Sequence, residues 1–188
     1  MLARSHLFLA LCFLPKLPLL AVDEKPSEIS KAALEGAFRV HRVKSAYQAG
    51  STRVRVLLPS GFDSKRSYRV LYLLPVEALD GERWGNGLKT AYRAGLHDKH
   101  NLVCVAPTFS HLPWYADHPE NPHIRQESYL LKVILPFIEK TYPVIPGRPG
   151  RLLVGFSKSG WGAFTLLLRN PEVFAAAAAF DAPMALAG

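Results

Sequence analysis

The chain has 188 residues, of which 49% are apolar and 20% charged, with a formal net charge of +8. This is the length of one domain with a sizeable core, and the composition excludes a disordered segment and a membrane-embedded bundle. The positive charge raises nucleic acid as a partner, but much of it lies between Arg39 and Arg69. There, in Thr52-Arg-Val-Arg-Val-Leu57, basic residues alternate with valine as on the wet face of a half-buried strand. No aromatic interleaving or recognition helix accompanies it, so no nucleic-acid partner is expected.

Residues 1–21 read as a signal peptide. Arg4 supplies the positive end, Leu7 to Leu14 the apolar core, and Ala21 a small residue before Val22. Lys16, Pro15 and Pro18 interrupt the apolar stretch, which falls short of the roughly 20 residues a membrane span needs. No integral membrane segment is therefore expected after cleavage, and the product is expected to be secreted or periplasmic. Cys12 leaves with the signal, and Cys104, inside Leu102-Val-Cys-Val-Ala106, reads as a small core residue.

Val22 to Lys31 reads as an exposed leader. Phe38 to Val43 and Arg53 to Leu58 read as an antiparallel hairpin, and Tyr68 to Leu74, almost continuously apolar, as a sheet-centre strand. Leu88 to Ala94 reads as a helix closed by Gly95, and Leu102 to Ala106 as the next buried strand. A long helix is expected over Pro122 to Lys140, capped by Asn121, with Tyr129, Leu130, Val133, Ile134 and Phe137 as its apolar stripe and a kink at Pro136. Leu152 to Val154 is a strand, a helix follows to Asn170, and Phe174 to Phe180 is a last, alanine-rich strand.

The chemistry concentrates in Gly155-Phe-Ser-Lys-Ser-Gly-Trp-Gly-Ala163. A strand, a tight turn around Ser157 and a helix are the context of a G-x-S-x-G nucleophile elbow, with Ser159 in place of the second glycine. Such a turn lifts the Ser157 hydroxyl above the sheet edge and aims the first helical N–H groups, beginning with Lys158, at an oxyanion formed there. The loop Thr108 to His123 is dense in metal-capable groups, but none sit at a recognisable ligand spacing, so no metal and no cofactor are assigned. Trp114 and Tyr115 in that loop are expected to shape a substrate pocket, since loops after parallel strands line the ligand crevice.

Two antiparallel strands followed by strand–helix alternation is the layout of the α/β-hydrolase fold, a mostly parallel sheet with helices on both faces. From Phe38 to Asp181 the chain resembles the esterase family that includes esterase D, feruloyl and enterochelin esterases and the antigen 85 mycolyltransferases. The resemblance rests on Val70-Leu-Tyr-Leu-Leu-Pro75, Leu135-Pro-Phe-Ile-Glu139 and the elbow. It implies a serine esterase domain over residues 22–188, acting through an acyl-enzyme on Ser157 on a small-molecule or carbohydrate-linked ester. It also implies a second oxyanion N–H after Pro75, from Val76 or Glu77.

Members of this fold place the acid and then the histidine after the serine. Here Glu172 and Asp181 follow Ser157, and all seven histidines precede it. The resemblance thus implies a chain lacking the last strands of the fold, C-terminally incomplete and inactive by itself, with an alanine-rich strand left as a bare sheet edge. The alternative is a non-catalytic relative that binds in the pocket and has lost its triad. His111 and His118 are the upstream candidates for a substitute base, and the sequence does not choose between them.

Overall fold

The computed structural model describes residues 26–183; the expected signal peptide lies outside them. Among the described residues, eight strands form one mixed sheet: β1 Glu28–Ile29, β2 Ala33–Glu35, β3 Phe38–Lys44, β4 Ser51–Leu57, β5 Arg69–Leu73, β6 Leu102–Pro107, β7 Arg151–Phe156 and β8 Ala176–Phe180. Their order is β1-β3-β4-β6-β5-β7-β8, with β2 on the side of β3. The β4–β6 contact is antiparallel, whereas β5, β6, β7 and β8 run parallel. Helices flank both faces, so this is the mixed sheet of an α/β-hydrolase.

Alternation in β4 decides its burial. Val54 and Val56 enter the core, while Arg53 and Arg55 remain half-exposed and both pair with Asp80, at 3.3 and 2.7 Å. In β5, Val70 and Tyr72 face one layer of core and Leu71 and Leu73 the other, as expected of a central strand. The larger layer packs α3 (Gln126–Tyr129), the π-helical turn Leu130–Ile134, α4 (Leu135–Thr141) and α5 (Lys158–Arg169) against the sheet. The smaller layer packs α1 (Gly87–Arg93) and α2 (Leu96–Lys99) around Leu73, Leu88, Ala91 and Cys104. Burial pushes the Cys104 thiol up to about 12, which suits an inert core residue.

Two sequence expectations need correction. The leader is partly ordered sheet, because Glu28 and Ile29 pair with Lys44 and Val43; two residues carry no readable period. The long helix begins at Gln126, so Asn121 does not cap it. Its side chain instead accepts from the His123 N–H at 2.9 Å, closing a turn of the preceding loop. Just before Pro136, which has no N–H to give, the helix widens into a π-helical turn over Leu130–Ile134, where the Leu135 N–H bonds the Leu130 carbonyl.

Candidate active site

The connection from β5 to β6 runs over one face of the sheet, and those from β6 to β7 and β7 to β8 over the other. The chain therefore switches direction at the carboxyl ends of β5 and β7, where open α/β sheets bind ligands. Ser157 stands there, between β7 and α5, at φ 52° and ψ −125°. A non-glycine residue at such angles costs on the order of 1–3 kcal/mol and persists only where its surroundings hold it. They do so on both sides. The Ser157 N–H donates to the Phe180 carbonyl at 2.8 Å, tying the turn to the end of β8. The Ser159 hydroxyl accepts from the Phe156 N–H and donates to the Phe156 carbonyl, both at 2.9 Å.

Gly155 shows how close the chain reverses. A Cβ there would lie 2.0 Å from the Ser159 carbonyl oxygen, so only glycine fits. Ser159 is wholly buried and spends its hydroxyl on the turn, while the Ser157 hydroxyl has no partner among the described residues. Of the two serines, Ser159 is therefore the structural one.

Lys158 is the first residue of α5, so its backbone N–H has no acceptor within the helix. Its ammonium sits over the Trp114 ring, 5.3 Å from the centroid. Burial pulls this group below the ordinary lysine range, and the negative charge of Glu77 opposes that pull. Glu77 itself keeps one carboxylate oxygen buried without a hydrogen bond among the described residues.

The loop after β5 is fixed at several points. Leu74 N–H donates to the Val154 carbonyl at 2.9 Å, Leu79 N–H to the Phe109 carbonyl at 2.8 Å, and Asp80 closes it through Arg53 and Arg55. Beside it lies a largely apolar cavity of about 550 Å³, lined by Leu73, Val76, Leu88, Val154, Phe156 and Phe180 among others.

The two aromatic residues expected in the pocket differ in place. Trp114 is 56% exposed. Tyr115 is 0% exposed, so it offers no surface to a ligand; it supports the site from beneath, its hydroxyl donating to the Pro75 carbonyl. Sequence reasoning missed what holds this pair. Gln126, buried at the start of α3, accepts from the N–H groups of Trp114 and Tyr115 at 2.7 and 3.0 Å and donates to the Leu112 carbonyl at 3.0 Å. No spacing signals a glutamine that acts on a loop more than ten residues before it. Replacing Gln126 by leucine keeps the volume and strands two inward N–H groups. Urea unfolding should show a loss of about 2 kcal/mol or more, and a loss under about 0.5 kcal/mol would show that the loop rests on other contacts.

No described histidine bonds Ser157. His111 Nδ1 is 3.0 Å from the Ser110 hydroxyl, and His118 Nδ1 accepts from the N–H groups of Glu120 and Asn121. His41 is engaged by Tyr142 and the Ser30 carbonyl, and His97 faces Asp98. Asp181 follows β8 at φ 48°, directly after the carbonyl that receives the Ser157 N–H.

A family model described as "Putative esterase" matches residues 45–186. Esterase Rv1288 of Mycobacterium tuberculosis is 29% identical over 140 residues, covering 71% of this chain and 29% of its own length. An S-formylglutathione hydrolase from Agrobacterium tumefaciens superposes with TM-score 0.64 at 19% identity, over 84% of this chain and 62% of that one. A ferulic acid esterase gives TM-score 0.64 at 25% identity, over 85% and 59%. FphF of Staphylococcus aureus, a fluorophosphonate-binding serine hydrolase, gives 0.55 at 20%, over 77% and 57%. The chain thus spans less than a third of its curated relative and about three fifths of these solved structures. With the elbow, the mixed sheet and this match over most of its length, the chain belongs to the esterase family of the α/β-hydrolase fold.

Proposed function

We propose that the protein is an exported serine esterase in which Ser157 attacks the carbonyl carbon of a carboxylic ester. The observation that carries this is the pair of serines in one turn. Ser159 is consumed by Phe156, and Ser157 is held at a strained φ of 52° with its hydroxyl unengaged. In the first step the Ser157 oxygen bonds the carbonyl carbon, its proton passes to a base, and the carbonyl oxygen becomes an oxyanion facing the Lys158 N–H. Collapse expels the alcohol and leaves the acyl-enzyme, which water then cleaves. Trp114, exposed beneath the Lys158 ammonium, serves as the substrate-facing aromatic surface. The substrate class is a small-molecule ester, including esters borne on carbohydrate.

The 188-residue chain is expected to react slowly, because no described side chain takes the Ser157 proton. Turnover should fall several orders of magnitude below that of an esterase with a complete triad, leaving what the oxyanion donors and binding supply. Slow deacylation makes the acyl adduct itself the readout. Incubation with a short-chain nitrophenyl ester should add one acyl mass to the chain. No adduct after prolonged exposure would favour a non-catalytic, ligand-binding relative, and fast turnover would require His111 or His118 as the base.

Export rests on residues 1–21. Mass spectrometry of material recovered outside the cytoplasm should find an N-terminus near Val22, and an intact Met1 there would contradict it.

A further inference from the structure

Building on the assignment of Ser157 as nucleophile, the geometry points to Tyr115 as a positioning residue that makes the Val76 N–H the second oxyanion donor. In a trans peptide the carbonyl and the N–H point in opposite directions, and no described peptide bond is cis. Tyr115 donates its hydroxyl to the Pro75 carbonyl. Because Tyr115 is fully buried, that carbonyl is drawn toward the core, and the N–H of the same peptide, that of Val76, is turned away from it. No described acceptor bonds the Val76 N–H, and Val76 lines the cavity beside Phe156 and Ser159. The Glu77 N–H has no described acceptor either, but it belongs to the next peptide, whose carbonyl the phenol does not hold. Of the two donors the sequence offers, Val76 is the one the phenol orients.

Tyr115 is placed with unusual firmness. Its backbone takes φ 58°, its N–H donates to Gln126, and its carbonyl accepts from Arg169 of α5 at 2.5 Å. Its ring lies on Gly162 of α5, where any Cβ would stand 2.1 Å from Tyr115 Cδ2. Both oxyanion donors are therefore referenced to one helix, Lys158 as its first residue and Val76 through the phenol packed on its second turn. Burial holds the phenol protonated far above the ordinary tyrosine range, so it remains a donor at every working pH.

Tyr115→Phe removes the hydroxyl and keeps the ring. The second-order rate of Ser157 phosphonylation by a fluorophosphonate should fall about 10- to 100-fold, since losing an oxyanion donor outright costs about 100- to 1000-fold. The concentration giving half-maximal acylation by a nitrophenyl ester should not change. A crystal structure of the variant should show the Pro75–Val76 peptide rotated. Val76→Pro deletes the N–H without touching Tyr115 and should lose at least as much rate, which keeps the test open if Tyr115→Phe does not fold. An unchanged rate in either variant, a weakened half-maximal concentration as the only effect, or an unrotated peptide would overturn the assignment of Tyr115. If the parent chain is not labelled at all, the reading of Ser157 fails, and peptide orientation in the variant crystal still decides the positioning role.

Discussion

Gly155→Ala is expected to destabilise the protein by about 3 kcal/mol or more, or to prevent its recovery as soluble material. Overpacking a well-filled core commonly costs about 1–3 kcal/mol because neighbours shift. Here the obstructing atoms are backbone: the Ser159 carbonyl oxygen at 2.0 Å and carbon at 2.2 Å from the new Cβ. Moving them breaks the bonds between Ser159 and Phe156 and pulls Ser157 out of its left-handed conformation. The penalty falls on the turn as a whole. Urea unfolding measures it directly, and a loss under about 1 kcal/mol would show that the elbow relaxes without breaking.

The two serines should separate stability from reactivity. Ser159→Ala leaves the Phe156 N–H and carbonyl without the hydroxyl that serves both, costing about 2 kcal/mol while preserving covalent labelling. Ser157→Gly should do the reverse. Glycine takes the strained backbone angles without a Cβ penalty, so stability rises by about 1 kcal/mol, yet acyl transfer and labelling are lost. This trade of stability for a poised group is characteristic of functional sites. Thermal unfolding of the two variants beside the parent decides it, and a fall in stability for Ser157→Gly would show that the turn is unstrained.

Most of the fold was legible because it is written in period and punctuation. The Arg–Val alternation of β4, the continuous apolar run of β5, and the Gly-x-Ser turn between β7 and α5 each carry a local signal. The alanine run Ala176–Phe180 favours helix by propensity, but its place in the strand–helix alternation prevailed. What stayed hidden depends on contacts far apart in sequence. Glu28 and Ile29 are strand only because β3 pairs with them. Asn121 has the chemistry of a cap, but its bond to His123 starts a turn instead. Tyr115 looked like a pocket aromatic because its loop follows a parallel strand. Only the space left by Gly162, 47 positions on, and the carbonyl of Pro75, 40 positions back, reveal its inward place.

In the proposed reaction Ser157 alone is the nucleophile. Tandem mass spectrometry of the fluorophosphonate-treated chain tests it most directly, because the label stays on the oxygen that attacked. The expected result is a single adduct on Ser157 within the peptide containing Gly155 to Arg169, absent after Ser157→Ala. An adduct on Ser159, or labelling that survives Ser157→Ala, would contradict the account.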